Sequence, residues 1–373
     1  MNAITNSVRN FSFFTHLRNW YARFERPISS LSLVSGFVFD ALTLTRVDRF
    51  WENLWVGAHL FIVAGCIVWI HTLENEGGDE KNPARVHFWL VNVLQFFFGG
   101  LLSTFLVFYF RSSDIAVSWP FILILTIAFV ANERLKNHFA RLTFQVSLFF
   151  LSLFSFAIFI IPVLIHKIGR DVFVWSGVIS IVLIAIFLFI LFCAHRKKYQ
   201  ESAFRVYLSV IGIFVLINSL YFAHFLPPIP LSLKDAGIYH SLERNSNGNY
   251  IAGYENIGWR GFITLYPTFH SRVNEKIYAY SAVFSPSSLN TTIIHEWQYF
   301  DTQSKKWETS STVALPVIGG RERGFRTFST NSDLKAGQWR VNVKTSTNEV
   351  IGRIRFTIIP VDFIPQISQS IHT

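Results

Sequence analysis

Charge is scarce in this sequence. Only 15% of its 373 residues are Asp, Glu, Lys or Arg, against about a quarter in an average soluble protein, whereas 51% are hydrophobic and 40 are Phe. Mean hydropathy is +0.36. One soluble core would not use that much apolar surface, and it is concentrated before residue 226 in runs of about 20 residues, the length a bilayer demands. Cysteine is nearly missing as well. Cys66 and Cys193 both lie inside apolar runs, so the chain from about residue 228 onward has none and cannot depend on disulfides. The redox compartment is therefore unreadable from cysteine. Common catalytic signatures are also absent: there is no G-x-S-x-G elbow, no phosphate-cradling P-loop and no H-E-x-x-H helix. His295-Glu296 lacks the second His of a zinc helix, and strand alternation sends its two members to opposite faces. No metal, no cofactor and no obvious hydrolase activity are expected.

The charge that is present is mostly positive, with 33 Lys and Arg against 23 Asp and Glu for a net +10. Most of that excess flanks apolar runs, where the positive-inside bias of membrane proteins accounts for it without nucleic acid. The lipid bilayer is the first partner implied.

Residues 1–28 show no signal-peptide pattern. Phe13, Leu17, Trp20, Tyr21 and Phe24 recur at helical spacing while Arg18, Arg23 and Arg26 take other positions, which describes a cytoplasmic amphipathic segment or a plain basic tail. A transmembrane domain over 29–226 follows, an all-α bundle of seven spans at 29–46, 52–71, 87–110, 115–131, 143–165, 172–194 and 204–225. Parity sets the number. The loops carrying Arg134, Lys136 and Arg141, and Arg196, Lys197, Lys198 and Arg205, are the most basic and belong in the cytoplasm. Seven spans then put the N-terminus inside and the chain after the seventh outside.

Polar groups within spans are where chemistry is sought, because hydrocarbon offers them no partner. Asp40 stands near the middle of the first span, followed by Arg46, Asp48 and Arg49, with Asp40 and Asp48 about 80° apart on a helix. Arg46 folding back, Thr43, or His59 of the second span would serve as its partner. Asp40 reads either as a neutral, hydrogen-bonded lock or as a proton- or ion-handling carboxylate. In the third span Asn92, Gln95, Gly99 and Ser103 form one stripe at i, i+3, i+7 and i+11, which suits helix packing or a solute path.

After Phe225 the composition changes. Pro227, Pro228 and Pro230 end the last span. Residues 227–262 are expected to be an exit linker and irregular segment, and 263–373 a periplasmic, immunoglobulin-like antiparallel β-sandwich of about seven strands. Alternation puts His295, Trp297 and Tyr299 on one face, Trp339, Val341 and Val343 on another, and Ile354, Phe356 and Ile358 opposite Arg353 and Arg355.

The ordered run Ala282-Val283-Phe284-Ser285-Pro286, His295-Glu296-Trp297, Gly319-Gly320-Arg321-Glu322-Arg323-Gly324-Phe325-Arg326, Trp339-Arg340-Val341 and Ile351-Gly352-Arg353 resembles a bacterial domain of unknown function, number 2914 in that series, over about residues 275–359. The stretch Gly36–Arg49 is similar to polytopic bacterial proteins bearing that domain. The resemblance implies a membrane-attached bacterial envelope protein and assigns no catalytic residue; the spans and their orientation add the expectation of the bacterial inner membrane. From the residues themselves, His295 and Tyr299 with Arg321, Arg323 and Arg326 form a candidate ligand surface. Trp297 and Trp339 are expected in the core, with Gly320, Gly324 and Gly352 serving the backbone. The expected partner of the sandwich is an envelope glycan, an anionic lipid headgroup or another envelope protein. A transporter or channel using Asp40, His59, Asn92 and Gln95 is one alternative. A membrane-embedded enzyme acting on lipid-linked substrates is another.

Overall fold

A computed structural model describes residues 34–44, 50–75, 83–112, 115–134, 141–226, 230–246, 248–256, 264–286, 291–319, 321, 323–332 and 334–372. The amphipathic segment 1–28, the start of the first expected span, and Arg46, Asp48 and Arg49 lie outside these residues.

Among the described residues seven helices come first: α1 (Val34–Thr43), α2 (Phe50–Asn75), α3 (Pro83–Arg111), α4 (Ile115–Arg134), α5 (Leu142–Ile165), α6 (Arg170–Ala194) and α7 (Arg196–Phe222). Their sequences are apolar on every side, as expected where one face meets protein and the other meets lipid. Five are long and apolar enough to cross a membrane. The described part of α1 and the apolar stretch Ser118–Asn132 of α4 are shorter; α1 spans about 15 Å, half of a hydrocarbon core of about 30 Å.

α5 is the hub of the bundle. It packs against α2, α3, α6 and α7, and 72% of its apolar window is buried, against 17% for α7. Small residues let neighbours come close. The Tyr109 hydroxyl donates to the Ser155 carbonyl at 3.1 Å, and Gly177 lies against the rings of Phe154 and Phe214.

Among the described residues eleven strands follow: β1 (Ser232–Tyr239), β2 (Ser241–Arg244), β3 (Tyr250–Glu255), β4 (Thr268–Ser271), β5 (Ile277–Phe284), β6 (Thr291–Asp301), β7 (Lys306–Val317), β8 (Phe325–Asn331), β9 (Gly337–Thr345), β10 (Val350–Pro360) and β11 (Ile367–His372). They form sheets of order β1-β5-β8, β4-β10-β9-β6-β7 and β11-β3-β2. Two expectations are corrected here. Segment 227–262 is not an irregular linker, because it supplies β1, β2 and β3, and β1 pairs along its length with β5. Its short, Gly-interrupted strands carry little alternation of their own and are fixed by partners distant in sequence. The pairing is also not purely antiparallel, since β4 runs parallel to β10.

The three- and five-stranded sheets share a core. Ala279 and Ile277 of β5 pack with Trp297 of β6, Trp339 and Val341 of β9, and Ile354, Phe356 and Ile358 of β10. Trp297 and Trp339 are buried, as alternation places them. Gly324 has φ +87°, and a Cβ there would come within 2.8 Å of the Ala282 backbone, so this turn requires glycine. Gly352 lies directly against the Leu233 side chain. Gly320 is outside the described residues.

The β-region is seated on the bundle. Ile168, in the α5–α6 connection, packs into the cluster of Leu231, Val283, Ile293, Val317, Val343 and Ile351. Beside it, the Tyr221 hydroxyl near the end of α7 donates to Glu349 Oε1 at 3.3 Å, while the Thr345 and Thr347 hydroxyls donate to Glu349 Oε2. Glu349 is buried in the β9–β10 turn, where Asn348 adopts φ 73°.

Candidate functional site

The polar helix candidates that lie among the described residues, Asp40, His59, Asn92 and Gln95, meet along one seam. Asp40 of α1 is half-buried and interacts with Ser103 of α3 and His59 of α2. The His59 Nδ1–H donates to the Trp55 carbonyl at 2.8 Å, its ring meets Trp55 and Phe97 edge-on, and Gly100 of α3 faces its Nε2. One turn away, Asn132 of α4 donates to the Gln95 carbonyl at 3.1 Å and lies against Gly99. The stripe Gln95, Gly99 and Ser103 is thus met by α4 and α1, with Asn92 half-buried beside it. Glycine brings the backbones close, and the polar side chains fill the contact. This is the geometry of a packed seam.

A second polar cluster, which sequence reasoning missed, sits at the other end of α2. The His71 Nε2–H donates to Gln145 Oε1 at 2.9 Å, and Thr72 meets His195, at the α6–α7 junction, at 3.1 Å. Gln145 and His195 lie far in sequence from His71 and Thr72, which explains why no local pattern marked the cluster.

In the β-region, His295 is sealed inside. Its Nε2 meets Ser281 of β5 at 2.8 Å and its Nδ1 meets Ser329 of β8 at 2.9 Å. Ser329 also accepts from Trp297 Nε1 at 3.0 Å. The imidazole is therefore a pin between two sheets, and burial pulls its pKa from 6.5 down to about 4, so it is neutral. Tyr299 leans on Trp339 with ring centroids 5.2 Å apart. Arg321 and Arg326 meet different partners. Arg321 lies over the Phe325 ring and Arg323 is exposed. Arg326 donates to Asn249 Oδ1 and to the His372 carbonyl, tying the last strand down. The expected ligand surface of His295, Tyr299, Arg321, Arg323 and Arg326 is not assembled.

A different surface is assembled, on the outward face of the five-stranded sheet. Strand alternation sends Glu296, Gln298 and Phe300 of β6, Arg340, Asn342 and Lys344 of β9, and Arg353 and Arg355 of β10 to the side opposite the core. Register does the rest by pairing Arg340 with Arg355 and with Gln298. The side chains interlock. Lys344 Nζ lies 2.5 Å from Glu296 Oε2, Asn342 donates to Glu296 and Gln298 at 2.8 and 3.0 Å, Arg340 Nε donates to Gln298 at 2.7 Å, and Arg353 Nε donates to Asn342 at 2.9 Å. At one end the Arg340 guanidinium lies 4.2 Å from the Trp307 ring centre. That ring stacks on Tyr266 at 12° and packs beside Phe300.

Among the described residues of β6, β9 and β10, four cations, Arg340, Lys344, Arg353 and Arg355, thus share a face with one carboxylate, Glu296. The crowding is visible in the chemistry: burial, then the charge of Arg353, lowers Arg340 to about 10. Burial raises Glu296, but Lys344 and Asn342 outweigh it and hold the carboxylate below its ordinary range. A face of this kind attracts anions, and fork-shaped guanidinium groups suit carboxylate and phosphate oxygens.

The segment that builds this face also carries a recognisable signature. Residues 290–358 match the family described as Protein of unknown function (DUF2914). The DUF2914 match runs through β6, β7, β8 and β9 and most of β10, so it includes all four cations and Trp307. No curated protein matches the chain. Among solved structures, Pseudomonas fluorescens alkylpurine DNA glycosylase AlkC, bound to DNA containing an abasic site analog, aligns at 10% identity over 84% of this chain and 99% of that one, with a TM-score of 0.22; no fold or activity follows from a likeness that slight.

A charged network gathers beside β4, the edge strand of this sheet. His240, between β1 and β2, donates from Nε2 to Glu255 at 2.9 Å and from Nδ1 to Glu275 at 2.8 Å. Glu255 also accepts from His270 Nδ1 at 2.6 Å. Burial lowers the His240 imidazole, but the two carboxylates together outweigh it and leave its pKa above the ordinary value. Among the described residues no group of His, Cys, Asp and Glu is arranged to hold a metal ion.

Proposed function

We propose that this chain is a membrane-embedded receptor of the bacterial envelope whose DUF2914 segment holds an acidic glycan on the outward face of its five-stranded sheet. The observation that carries the reading is the excess of four cations over one carboxylate on a single face, bounded by the Trp307–Tyr266 shelf. Sugar rings present C–H faces that pack on aromatic surfaces, while their carboxylates or phosphates take guanidinium hydrogen bonds. Amides at Gln298 and Asn342 supply further polar contacts to hydroxyls.

Orientation belongs to the same reading. The sandwich sits on the α5–α6 connection, whereas Arg141 and Arg196 lie at the far ends of α5 and α6. Basic connections favour the cytoplasm, which supports a periplasmic position for the sandwich of an inner-membrane protein. The transporter alternative is weaker, because Asp40 and His59 meet a helix seam closed by Gly99 and Gly100. For the enzyme alternative, Arg46, Asp48 and Arg49 lie outside the described residues.

The test is binding of the full chain in detergent to polygalacturonate, with neutral dextran as the control. Retention on the acidic polymer alone is expected, weakening as salt screens the face and falling on Arg340→Gln and on Trp307→Ala. Equal retention of both polymers, or no change in either variant, would sink the reading.

A further inference from the structure

A groove of about 590 Å³ opens between α6 and α7, lined by Ile184, Leu188, Phe192, Tyr199, Tyr207 and Ile211 among others. Along α6 it runs from Ile181 to Phe192, about 16 Å at helical rise, which is the depth of one leaflet in a core about 30 Å thick. Its two ends differ. One end is wholly aliphatic. The other carries the Tyr199 and Tyr207 hydroxyls, 2.8 Å apart, together with Gln200. The Arg196 guanidinium sits over the Phe192 ring at 5.6 Å and so stands at this polar end. The surrounding sequence adds Lys197, Lys198 and Arg205 against Glu201.

We infer that this groove is a site for an anionic phospholipid, with one acyl chain lying along α6 and the phosphate held at Arg196. Leaflet-deep apolar length and positive charge at the headgroup end are the two features that such a lipid matches and a zwitterionic one matches only in part. A basic residue at a membrane surface favours an anionic lipid by about fivefold. The Tyr207 hydroxyl, which accepts from Tyr199, and Gln200 can donate to the same phosphate oxygens. The site is independent of the glycan-binding face, which lies in the β-region.

Full chain reconstituted in nanodiscs of phosphatidylcholine with phosphatidylglycerol in equal amounts, then released and weighed by native mass spectrometry, provides the test. Phosphatidylglycerol is expected to be retained over phosphatidylcholine, with the preference falling about fivefold in Arg196→Gln. Ala185 is an exposed residue on the groove wall, so Ala185→Trp fills the groove without disturbing the core and should abolish retention of both lipids. Equal retention of the two lipids by the wild type overturns the inference, as does retention unchanged by Ala185→Trp. A lipid-free dimer that Ala185→Trp dissociates also overturns it and gives the groove to a second copy of the chain.

Discussion

The helix bundle and the β-region both take polar side chains out of water, and they treat them differently. In the sandwich, His295 has both ring nitrogens occupied and Trp297 has its N–H occupied. In the bundle, Asn132 Oδ1, Ser152 Oγ and His195 Nδ1 are buried with no hydrogen-bond partner among the described residues. On a helix seam, close glycine packing leaves little room for a partner, and a polar side chain there is a minor contribution. Between two sheets a polar group lies in a close-packed apolar core, where it is fully partnered or excluded.

The comparison breaks most easily at His295. Replacing it by Ala leaves a cavity and strips partners from Ser281 and Ser329, so a loss of about 3 kcal/mol is expected, measured by thermal unfolding of the detergent-solubilised chain. A loss below about 0.5 kcal/mol, the range of ordinary surface substitutions, would mean that the pin holds nothing. The same residue predicts a pH effect. Its folded pKa of about 4 lies below the ordinary 6.5, so the unfolded chain takes up a proton first. Stability should therefore fall as pH drops from about 6.5 toward about 4, by up to about 3 kcal/mol. His240 acts in the opposite sense, since its raised pKa stabilises at low pH and that contribution is lost as pH rises through it. The wild type minus His295→Ala difference isolates the first effect, and a flat difference across the window would contradict it.

Where the two regions meet, Tyr221 and Glu349 provide a sharper and smaller probe. Tyr221→Phe and Glu349→Gln should each cost about 1 kcal/mol, and in a double-mutant cycle the second change should cost less once the first is made. Strict additivity would show that the sandwich rides on the bundle without this bond. The smallest effect is expected within the seam. Asn132→Ala should cost about 0.6 kcal/mol, read from helix melting by circular dichroism. A value comparable to that of His295→Ala would erase the distinction between the two regions.

Much of this architecture is written locally. Phe-rich runs of bilayer length mark the helices, and strict alternation at Trp339–Val343 and Ile354–Ile358 marks the strands and the faces they bury. Alternation even separates Arg353 and Arg355 from the core. It does not reveal that β9 pairs with β10 so that Arg340 falls beside Arg355, nor that His295 faces two serines on another sheet. The early strands β1, β2 and β3 escaped for the same reason, since pairing partners such as Phe284 and Ile367 lie far along the chain.

The amino-acid order by itself determined which stretches prefer lipid and which prefer a pleated sheet, because those preferences are summed over neighbours a few residues apart. Which polar side chains became pins, which became a charged face, and which closed a helix seam were decided only when distant segments met. A hydrogen bond or a cluster of like charges depends on distances of a few ångströms that local sequence does not encode.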